Sequence, residues 1–213
     1  MKQITFYLDF VSPYAHLAFE QLPDVLTGLS YAVTYKPVLL GAILRHHGQL
    51  GPAEVPAKRD WTYRHVQWLG QHHGIRLQLP AAHPFSPLPL LRLSLACAAG
   101  GDPNRYVCET LFHYVWHGGA DAADASRLQA LQAQLAPALA LEDGRVKDRL
   151  RQNTDEALAA GVFGVPAYAV DGRLFWGFDG LPMLRDYLAG SDWFEGPAWS
   201  AVGAIPAGVV RQR

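Results

Sequence analysis

The hydrophobic pattern changes its period twice within the first forty residues. Residues 3–10 alternate between polar and apolar positions and are rich in β-formers, which predicts a strand. Residues 13–28 repeat apolar side chains at helical spacing, with Tyr14 and Ala18 on one face, and residues 31–37 return to a short β-rich run. The chain therefore opens with a βαβ unit, whose strands we expect to be parallel and joined by a right-handed crossover.

The middle of the chain has helical periodicity only. A helix that opens at Ser86-Pro87 is apolar on nearly every side, so we expect it to be buried. Asp102-Pro103 is predicted to cap the next helix. The predicted helices of this region cover residues 56–73, 87–99, 103–117, 124–136 and 144–160.

Strands return near the end of the chain. Residues 166–171 and 173–176 are predicted strands, and Asp171-Gly172 between them is typical of a two-residue hairpin turn. A last helix is predicted over residues 181–188.

The order βαβ, helices, ββα is that of an α/β, thioredoxin-like fold with a large all-helical insertion. We predict a thioredoxin-like domain built from residues 1–38 and 161–190, and a helical insertion domain over residues 39–160. The C-terminal tail, residues 191–213, is expected to be irregular and to pack on the surface or on a partner.

Composition limits the classes of partner. The chain has 213 residues, of which 50% are hydrophobic, and a formal net charge of -1, so it has no basic surplus for a nucleic-acid backbone. No apolar run approaches the roughly 20 residues that span a bilayer, and the start has no signal-peptide pattern. We therefore expect a cytoplasmic protein with no membrane or nucleic-acid partner. Cys97 and Cys108 form no C-x-x-C pair and are interpreted as buried apolar residues.

The junction between the first strand and the first helix carries the main chemical signal. Ser12 is a good N-cap, and Pro13 at the first helical position loses no hydrogen bond. The first N–H groups of the helix then form an anion site whose side-chain donor is a hydroxyl. A purely structural N-cap is the other interpretation of Ser12, and the two roles are compatible.

In a thioredoxin-like fold, this junction normally holds C-x-x-C. Here the four positions are Ser12, Pro13, Tyr14 and Ala15, so dithiol–disulfide exchange at this site is excluded. The helix N-terminus that would stabilise a thiolate remains. We infer that the thiol arrives with the ligand, and that a tripeptide thiol with a free α-amino acid end, glutathione, fits best.

Two other segments are candidates for the same ligand. Val165-Pro166 precedes the third strand, where a cis bond would present the Val165 backbone to an extended peptide. Asp179, at the start of the last helix, is either the helix N-cap or the partner of a ligand ammonium group. Lys58, at the start of a helix, is either a solvated lysine or a contact for an anionic ligand.

The histidines do not predict a metal site. His46-His47 and His72-His73 are adjacent pairs that point to different helix faces. His113 and His117 have i,i+4 spacing, but no glutamate follows His113 as in a metalloprotease motif. We therefore predict no metal.

Five segments together resemble the 2-hydroxychromene-2-carboxylate isomerase family, whose relatives are kappa-class glutathione transferases and bacterial disulfide oxidoreductases. The segments are F-Y-L-D-F-V-S-P-Y-A, P-A-K-R-D-W-T-Y-R, H-P-F-S-P-L-P-L-L-R-L, G-V-F-G-V-P and F-W-G-F-D-G-L, and they lie between residues 3 and 189. The resemblance implies a thioredoxin-like domain with a helical insertion, glutathione as cofactor and a homodimer.

The resemblance also implies roles for particular residues. The serine that matches Ser12 contacts the glutathione sulfur, and the residue that matches Val165 pairs its backbone with the cysteinyl part. The residues that match Phe178, through its backbone, and Asp179 hold the γ-glutamyl end. Lys58 matches a basic residue near the ligand.

Three positions depart from the family pattern. Where relatives often have R-Y-x-x-x-D, this chain has Trp61 and then His65. Gly180 replaces the arginine of G-x-D-R-L, and Phe178 stands where a polar residue is common. The Gly180 change removes a charge near the site.

The sequence thus predicts a glutathione-dependent isomerase of an aromatic carboxylate compound, with Ser12 as the catalytic residue. Ser12, Lys58, Val165, Pro166, Phe178 and Asp179 are the predicted glutathione-binding residues. A kappa-type glutathione transferase and a non-catalytic thioredoxin-like binding module are the alternatives.

Overall fold

A four-stranded sheet in the order β2-β1-β3-β4 organises the computed structural model, which describes residues 1–99, 101–206 and 208–209. Strands β1 (Lys2–Leu8) and β2 (Tyr31–Pro37) are parallel, with α1 (Pro13–Val25) between them. Strand β3 (Ala167–Val170) is antiparallel to β1, and β4 (Arg173–Trp176) is antiparallel to β3. The predicted βαβ and ββ units are confirmed.

Helices fill the chain between β2 and β3, as predicted. They are α2 (Leu40–His46), α3 (Pro56–His73), α4 (Leu88–Ala96), α5 (Arg105–Trp116), α6 (Ala125–Leu135) and α7 (Gly144–Ala159). Helices α8 (Leu181–Leu188) and α9 (Pro197–Ala201) follow the sheet. Within the described ranges, no helix is both long and apolar enough to cross a membrane.

The main core lies between the sheet, α1 and the inserted helices. Phe19 of α1 lies 5.1 Å from Phe112 of α5 and 5.3 Å from Tyr35 of β2, measured between ring centroids. Helix α4 is buried over most of its length, as its all-round apolar sequence predicted. The site at the end of β1 therefore rests on a rigid, packed base.

Two predicted helix starts are wrong. Asn104, not Asp102, caps α5, because its Oδ1 accepts the Val107 N–H at 3.0 Å, whereas Asp102 instead pairs with Arg149 at 3.4 Å. Helix α4 begins at Leu88 without a side-chain cap, so Ser86 does not cap it. Strand β1 also ends two residues before the predicted limit, because the Asp9 carboxylate accepts the Val11 N–H and turns the chain.

The tail is more ordered than predicted. Asp192–Glu195 and Val202–Ala204 form 3-10 turns, and Pro197–Ala201 forms α9. Phe194 is buried, with its ring 5.1 Å from Tyr187 and 5.3 Å from Trp199. The prediction of an irregular tail is therefore wrong over these segments; residues 207 and 210–213 lie outside the described residues.

Candidate functional site

A cavity of about 1160 Å³ opens at the carboxyl end of β1. The β1–α1 junction, α3, the loop before β3 and the corner between β4 and α8 form its wall. Five of the six predicted site residues line it, namely Ser12, Val165, Pro166, Phe178 and Asp179. The fold thus brings together segments that are separated by about 150 residues along the chain.

Ser12 is held at the N-terminus of α1. Its Oγ accepts the Ala15 N–H at 3.2 Å, which confirms the predicted N-cap. The hydroxyl donates to the Val165 carbonyl at 3.4 Å, a distance well above the usual 2.7–2.8 Å for such bonds. The hydroxyl proton is therefore weakly engaged and can turn toward an acceptor in the cavity.

The first turn of α1 offers one more donor. Pro13 has no N–H, the Ala15 N–H binds the Ser12 hydroxyl, and the His16 N–H binds the Ser12 carbonyl at 3.2 Å. The Tyr14 N–H has no acceptor among the described residues. An anion beside Ser12 would thus meet a backbone donor and the positive end of the helix dipole.

A buried carboxyl holds the loop that carries Ser12. Asp9 accepts the Val11 N–H at 3.2 Å and the Leu40 N–H at 3.0 Å, and its carbonyl accepts the Ser12 N–H at 3.1 Å. Burial raises the pKa of Asp9 to about 7, against the opposing effect of these backbone N–H groups. Asp9 therefore connects the loop to the start of α2 and fixes the position of Ser12.

Side chains from distant elements hold the same loop from the other side. The indole N–H of Trp116 donates to the Phe10 carbonyl at 3.1 Å, and His83 Nε2 donates to the Val11 carbonyl at 2.7 Å. His83 Nδ1 therefore carries a lone pair and lies 2.8 Å from the Tyr63 hydroxyl, which also donates to the His83 carbonyl at 2.9 Å. Burial lowers the pKa of His83, which favours the neutral ring.

The Val165–Pro166 bond is cis, which the sequence had left open. The Pro166 carbonyl accepts the Gly177 N–H at 2.9 Å, which connects this loop to the end of β4. The Val165 N–H has no acceptor among the described residues, although the residue is buried. Val165 can therefore pair with an extended peptide that enters beside Ser12.

The corner between β4 and α8 presents Phe178 and Asp179. Gly180 is the N-cap of α8, and no side chain caps the helix. The prediction that Asp179 is the N-cap of this helix is therefore wrong. Asp179 is exposed and has no hydrogen-bond or ion-pair partner in the part of the chain that the structure describes. Its carboxylate is therefore available to a cationic ligand group.

Two glycines keep this corner tight. Gly177 has a φ of +88°, and a Cβ there would overlap the Asp179 carboxylate. A Cβ at Gly180 would overlap the Trp176 carbonyl oxygen. Gly180, which stands where the family often has arginine, thus allows its backbone to lie close to the Trp176 carbonyl.

The fold does not place Lys58 in the cavity wall with the other predicted site residues. It is exposed in the first turn of α3 and does not line the cavity. Its contact with the ligand stays a prediction.

Sequence reasoning missed a polar pair in the cavity wall. Tyr14 places its hydroxyl 2.9 Å from His65 Nδ1, and both side chains line the cavity. Burial, and secondarily the Asp179 carboxylate, raise the pKa of Tyr14. The departure from the family pattern at His65 marked one member of the pair, but nothing in the sequence indicated Tyr14 as its partner.

The cavity is mainly apolar and has few ionisable groups. Among the described residues, no lysine or arginine lines it. Its ionisable groups, besides tyrosine, are Glu54, His65, His73, His83 and Asp179. Phe163 and Trp176 add an aromatic wall, with ring centroids 4.9 Å apart.

The fold and this site define a thioredoxin-like protein that has a serine where redox members have a cysteine. Residues 3–189 match the family model of the DSBA-like thioredoxin domain, and the chain belongs to that family.

Relatives with established names cover nearly the whole chain. A 2-hydroxychromene-2-carboxylate isomerase of Sphingobium xenophagum is 28% identical over 195 residues, which cover 88% of this chain and 98% of the relative. A kappa 2 glutathione S-transferase of Caenorhabditis elegans is 25% identical over 217 residues, or 92% of this chain and 95% of the relative.

A solved structure of a 2-hydroxychromene-2-carboxylate isomerase superposes with a TM-score of 0.74 at 23% identity, covering 88% of this chain and 94% of that one. It confirms the thioredoxin-like fold with a helical insertion.

Proposed function

We propose that this protein is a glutathione-dependent isomerase of an aromatic compound of the 2-hydroxychromene-2-carboxylate type. The observation that carries the proposal is the Ser12 hydroxyl, which lies 3.4 Å from the Val165 carbonyl and shares one cavity with the unpaired Asp179 carboxylate. The isomerase and transferase names of the relatives support a glutathione-related enzyme.

Each part of glutathione has a candidate partner among the unpaired backbone and side-chain groups of the site. The sulfur would lie beside the Ser12 hydroxyl and the Tyr14 N–H, and the cysteinyl backbone would pair with Val165 next to Pro166. The γ-glutamyl ammonium group would pair with Asp179, and the Phe178 backbone would contact the same end. The exposed Lys58 would then meet an anionic end of the ligand from outside the cavity.

Bound glutathione would supply a thiolate that adds to a conjugated substrate and leaves after isomerisation, so that glutathione is not consumed. Ser12 would stabilise that charge by turning its hydroxyl from Val165 to the sulfur. The N-terminus of α1 would add the favourable end of its dipole. Asp9 would keep both groups in place through the loop that it anchors.

The wall of the cavity supports an aromatic substrate. Phe163, Trp176 and Tyr14 would contact a planar ring. Because no lysine or arginine of the described chain lines the cavity, a substrate carboxylate would rely on the Tyr14–His65 pair for polar contact. We further propose, from the family resemblance, that the chain is a homodimer and acts in the cytoplasm.

A kappa-type transferase is the second candidate, since the kappa relative covers 92% of this chain and the same site would serve conjugation. The two functions differ in their product. Incubation with glutathione and 2-hydroxychromene-2-carboxylate, followed by chromatography, should give the isomer with glutathione unchanged. A thioether adduct and a loss of free glutathione would instead establish a transferase.

Calorimetry separates both enzymes from a non-catalytic module. We expect glutathione to bind wild-type protein, and Asp179→Asn to weaken that binding by about tenfold, because a charge-assisted bond to the ligand ammonium is lost. A glutathione analogue without its α-amino group should bind both proteins with equal affinity. Failure of glutathione to bind at about 1 mM would favour the binding module.

A further inference from the structure

A second polar cluster lies outside the cavity, between α1 and α5. Glu20 belongs to α1, and Glu109 and His113 are one helical turn apart on α5. One ligand atom from each of these three side chains lies within 4.8 Å of the others. His113 Nε2 lies 2.9 Å from Glu20 Oε1, so the two helices meet directly at this point.

His16 lies beside this cluster and faces its Glu20. It stands one turn before Glu20 on α1 and is fully buried. Its Nε2 faces the Arg76 carbonyl at 3.0 Å and must therefore carry the proton. Its Nδ1 has no hydrogen-bond partner and faces Glu20 Oε1 at 3.9 Å, which is too long for a hydrogen bond.

This geometry is unusual for an ordinary helix contact. A buried nitrogen lone pair and a carboxylate oxygen are both acceptors, and they face each other with no donor between them. The contact of His16 Nε2 with a backbone carbonyl is also the arrangement that orients a metal-binding histidine.

Arg105 is the cation next to the cluster. It forms a long ion pair with Glu109, in which Nη2 lies 3.8 Å from Oε1, beyond hydrogen-bond range. Its Nη1 donates to the Phe19 carbonyl at 3.4 Å and the Tyr35 hydroxyl at 3.3 Å. The Glu109 carboxylate is therefore not saturated by its neighbour.

We propose that Glu20, Glu109 and His113 form a binding site for one divalent transition-metal ion, with Zn²⁺ as the best match. One imidazole and two carboxylates from facing helices give three ligands, which leaves the fourth position of a tetrahedral ion to water or to a small shift of His16, whose Nδ1 lies 3.9 Å from Glu20 Oε1. Ligand atoms of such an ion are roughly 3.3 Å apart at bond lengths near 2.0 Å. The two separations to Glu20 Oε1, 2.9 Å and 3.9 Å, lie on either side of that value.

The sequence predicted no metal because the ligands of the proposed site come from two separate helices. The rings of His113 and His117, the i,i+4 pair visible in the sequence, stack with their centroids 4.0 Å apart. An ion here would clamp α5 to α1, one to two turns after Ser12. It would therefore stabilise the helix that carries the candidate active site.

Titration of chelator-treated, full-length protein with Zn²⁺ tests the proposal. We expect one ion per chain and an affinity that falls at least about tenfold in Glu109→Gln and in His113→Gln. These two side chains are partly exposed, so both variants should keep the wild-type circular dichroism spectrum. Co²⁺ should give the intense visible bands of a tetrahedral ion in wild type and lose them in the same variants.

His72→Gln is the matched control, because His72 is an exposed helical histidine outside the cluster. It should bind Zn²⁺ as wild type does. The proposal is overturned by no binding at about 1 mM Zn²⁺. It is also overturned if Glu109→Gln and His113→Gln bind as wild type does, or if His72→Gln loses as much affinity as they do.

Discussion

The Ser12 hydroxyl lies between two groups of its own chain and is held strongly by neither. It accepts the Ala15 N–H at 3.2 Å and donates to Val165 at 3.4 Å. Turning the proton to a thiolate would keep the first bond and replace the longer second bond by a charge-assisted one. The cap role and the proposed catalytic role therefore use different parts of the same hydroxyl.

Ser12→Ala separates these roles. Loss of the N-cap should lower the free energy of unfolding by about 1 kcal/mol. Turnover should fall by about 100-fold or more, because a donor to the developing charge is lost. Urea titration and steady-state kinetics measure the two effects.

Asp124→Ala is the matched control, since Asp124 caps α6 by accepting the Arg127 N–H at 2.9 Å, away from the cavity. It should lose comparable stability and keep wild-type turnover. Equal turnover in Ser12→Ala and wild type would sink the role of Ser12.

Asp9 gives a pH-dependent prediction. Its pKa is raised by burial to about 7 in the folded chain, from an ordinary value of 3.8. The folded state therefore holds a proton that the unfolded state has lost between these values, and stability falls as pH rises through this window. The slope is at most about 1.4 kcal/mol per pH unit.

Asp9→Asn removes that titration, although it also loses one acceptor oxygen. The unfolding free energies of both proteins are measured in urea from pH 4 to pH 7. As pH rises, the variant should become more stable relative to wild type. A constant difference over this range would show that Asp9 does not titrate there.

At the scale of elements, the corner between β4 and α8 depends on a close backbone approach. A Cβ at Gly180 would overlap the Trp176 carbonyl oxygen, so Gly180→Ala should cost about 1–3 kcal/mol of stability. The displaced corner should also weaken glutathione binding through Phe178 and Asp179. Calorimetry and thermal unfolding measure both changes.

Gly144→Ala is the control for this substitution. Gly144 opens α7, and a Cβ there would meet nothing within 4 Å. The variant should be as stable as wild type or gain up to about 1 kcal/mol. If Gly180→Ala were equally harmless, the corner would not be constrained in this way.

Elements with a local cause were predictable from the sequence. The Ser12 cap, the Asp171-Gly172 turn and the buried α4 depend on neighbours in the chain. The cap of α5 was misplaced because Asp102 and Asn104 are both good caps, and the choice depends on the distant Arg149. The Tyr14–His65 contact joins two elements and had no local signal.

For the whole molecule, the tail packs more firmly than its composition indicated. Phe194 is buried between Phe175, Tyr187 and Trp199, and Arg173 donates to its carbonyl at 2.8 Å. Phe194→Ala should therefore lower the free energy of unfolding by about 3 kcal/mol with little change in turnover. Denaturant titration and kinetics check both.

Trp193→Ala is the neighbouring control. Trp193 is 49% exposed, so its loss should cost under about 1 kcal/mol. Equal losses in the two variants would mean that the tail does not pack around Phe194.

The order of elements and the family could be predicted from the sequence because hydrophobic period and short motifs are local properties. Five of the predicted site residues line one cavity, but Lys58 does not. The hydrogen bonds by which Asp9, His83 and Trp116 hold the loop that carries Ser12 could not be predicted from the sequence. These contacts join residues about 30 to 110 positions apart, and periodicity has no information on them.

The pKa of glutathione's thiol in the complex shows whether Ser12 activates the bound thiol. Thiolate absorbance, followed against pH, should show the pKa of the bound thiol at least about one unit below the usual value near 8.5 in wild type. In Ser12→Ala, with glutathione at saturation, it should return most of the way to that value. An equal pKa in both proteins, or no binding, would contradict activation of the thiol by Ser12.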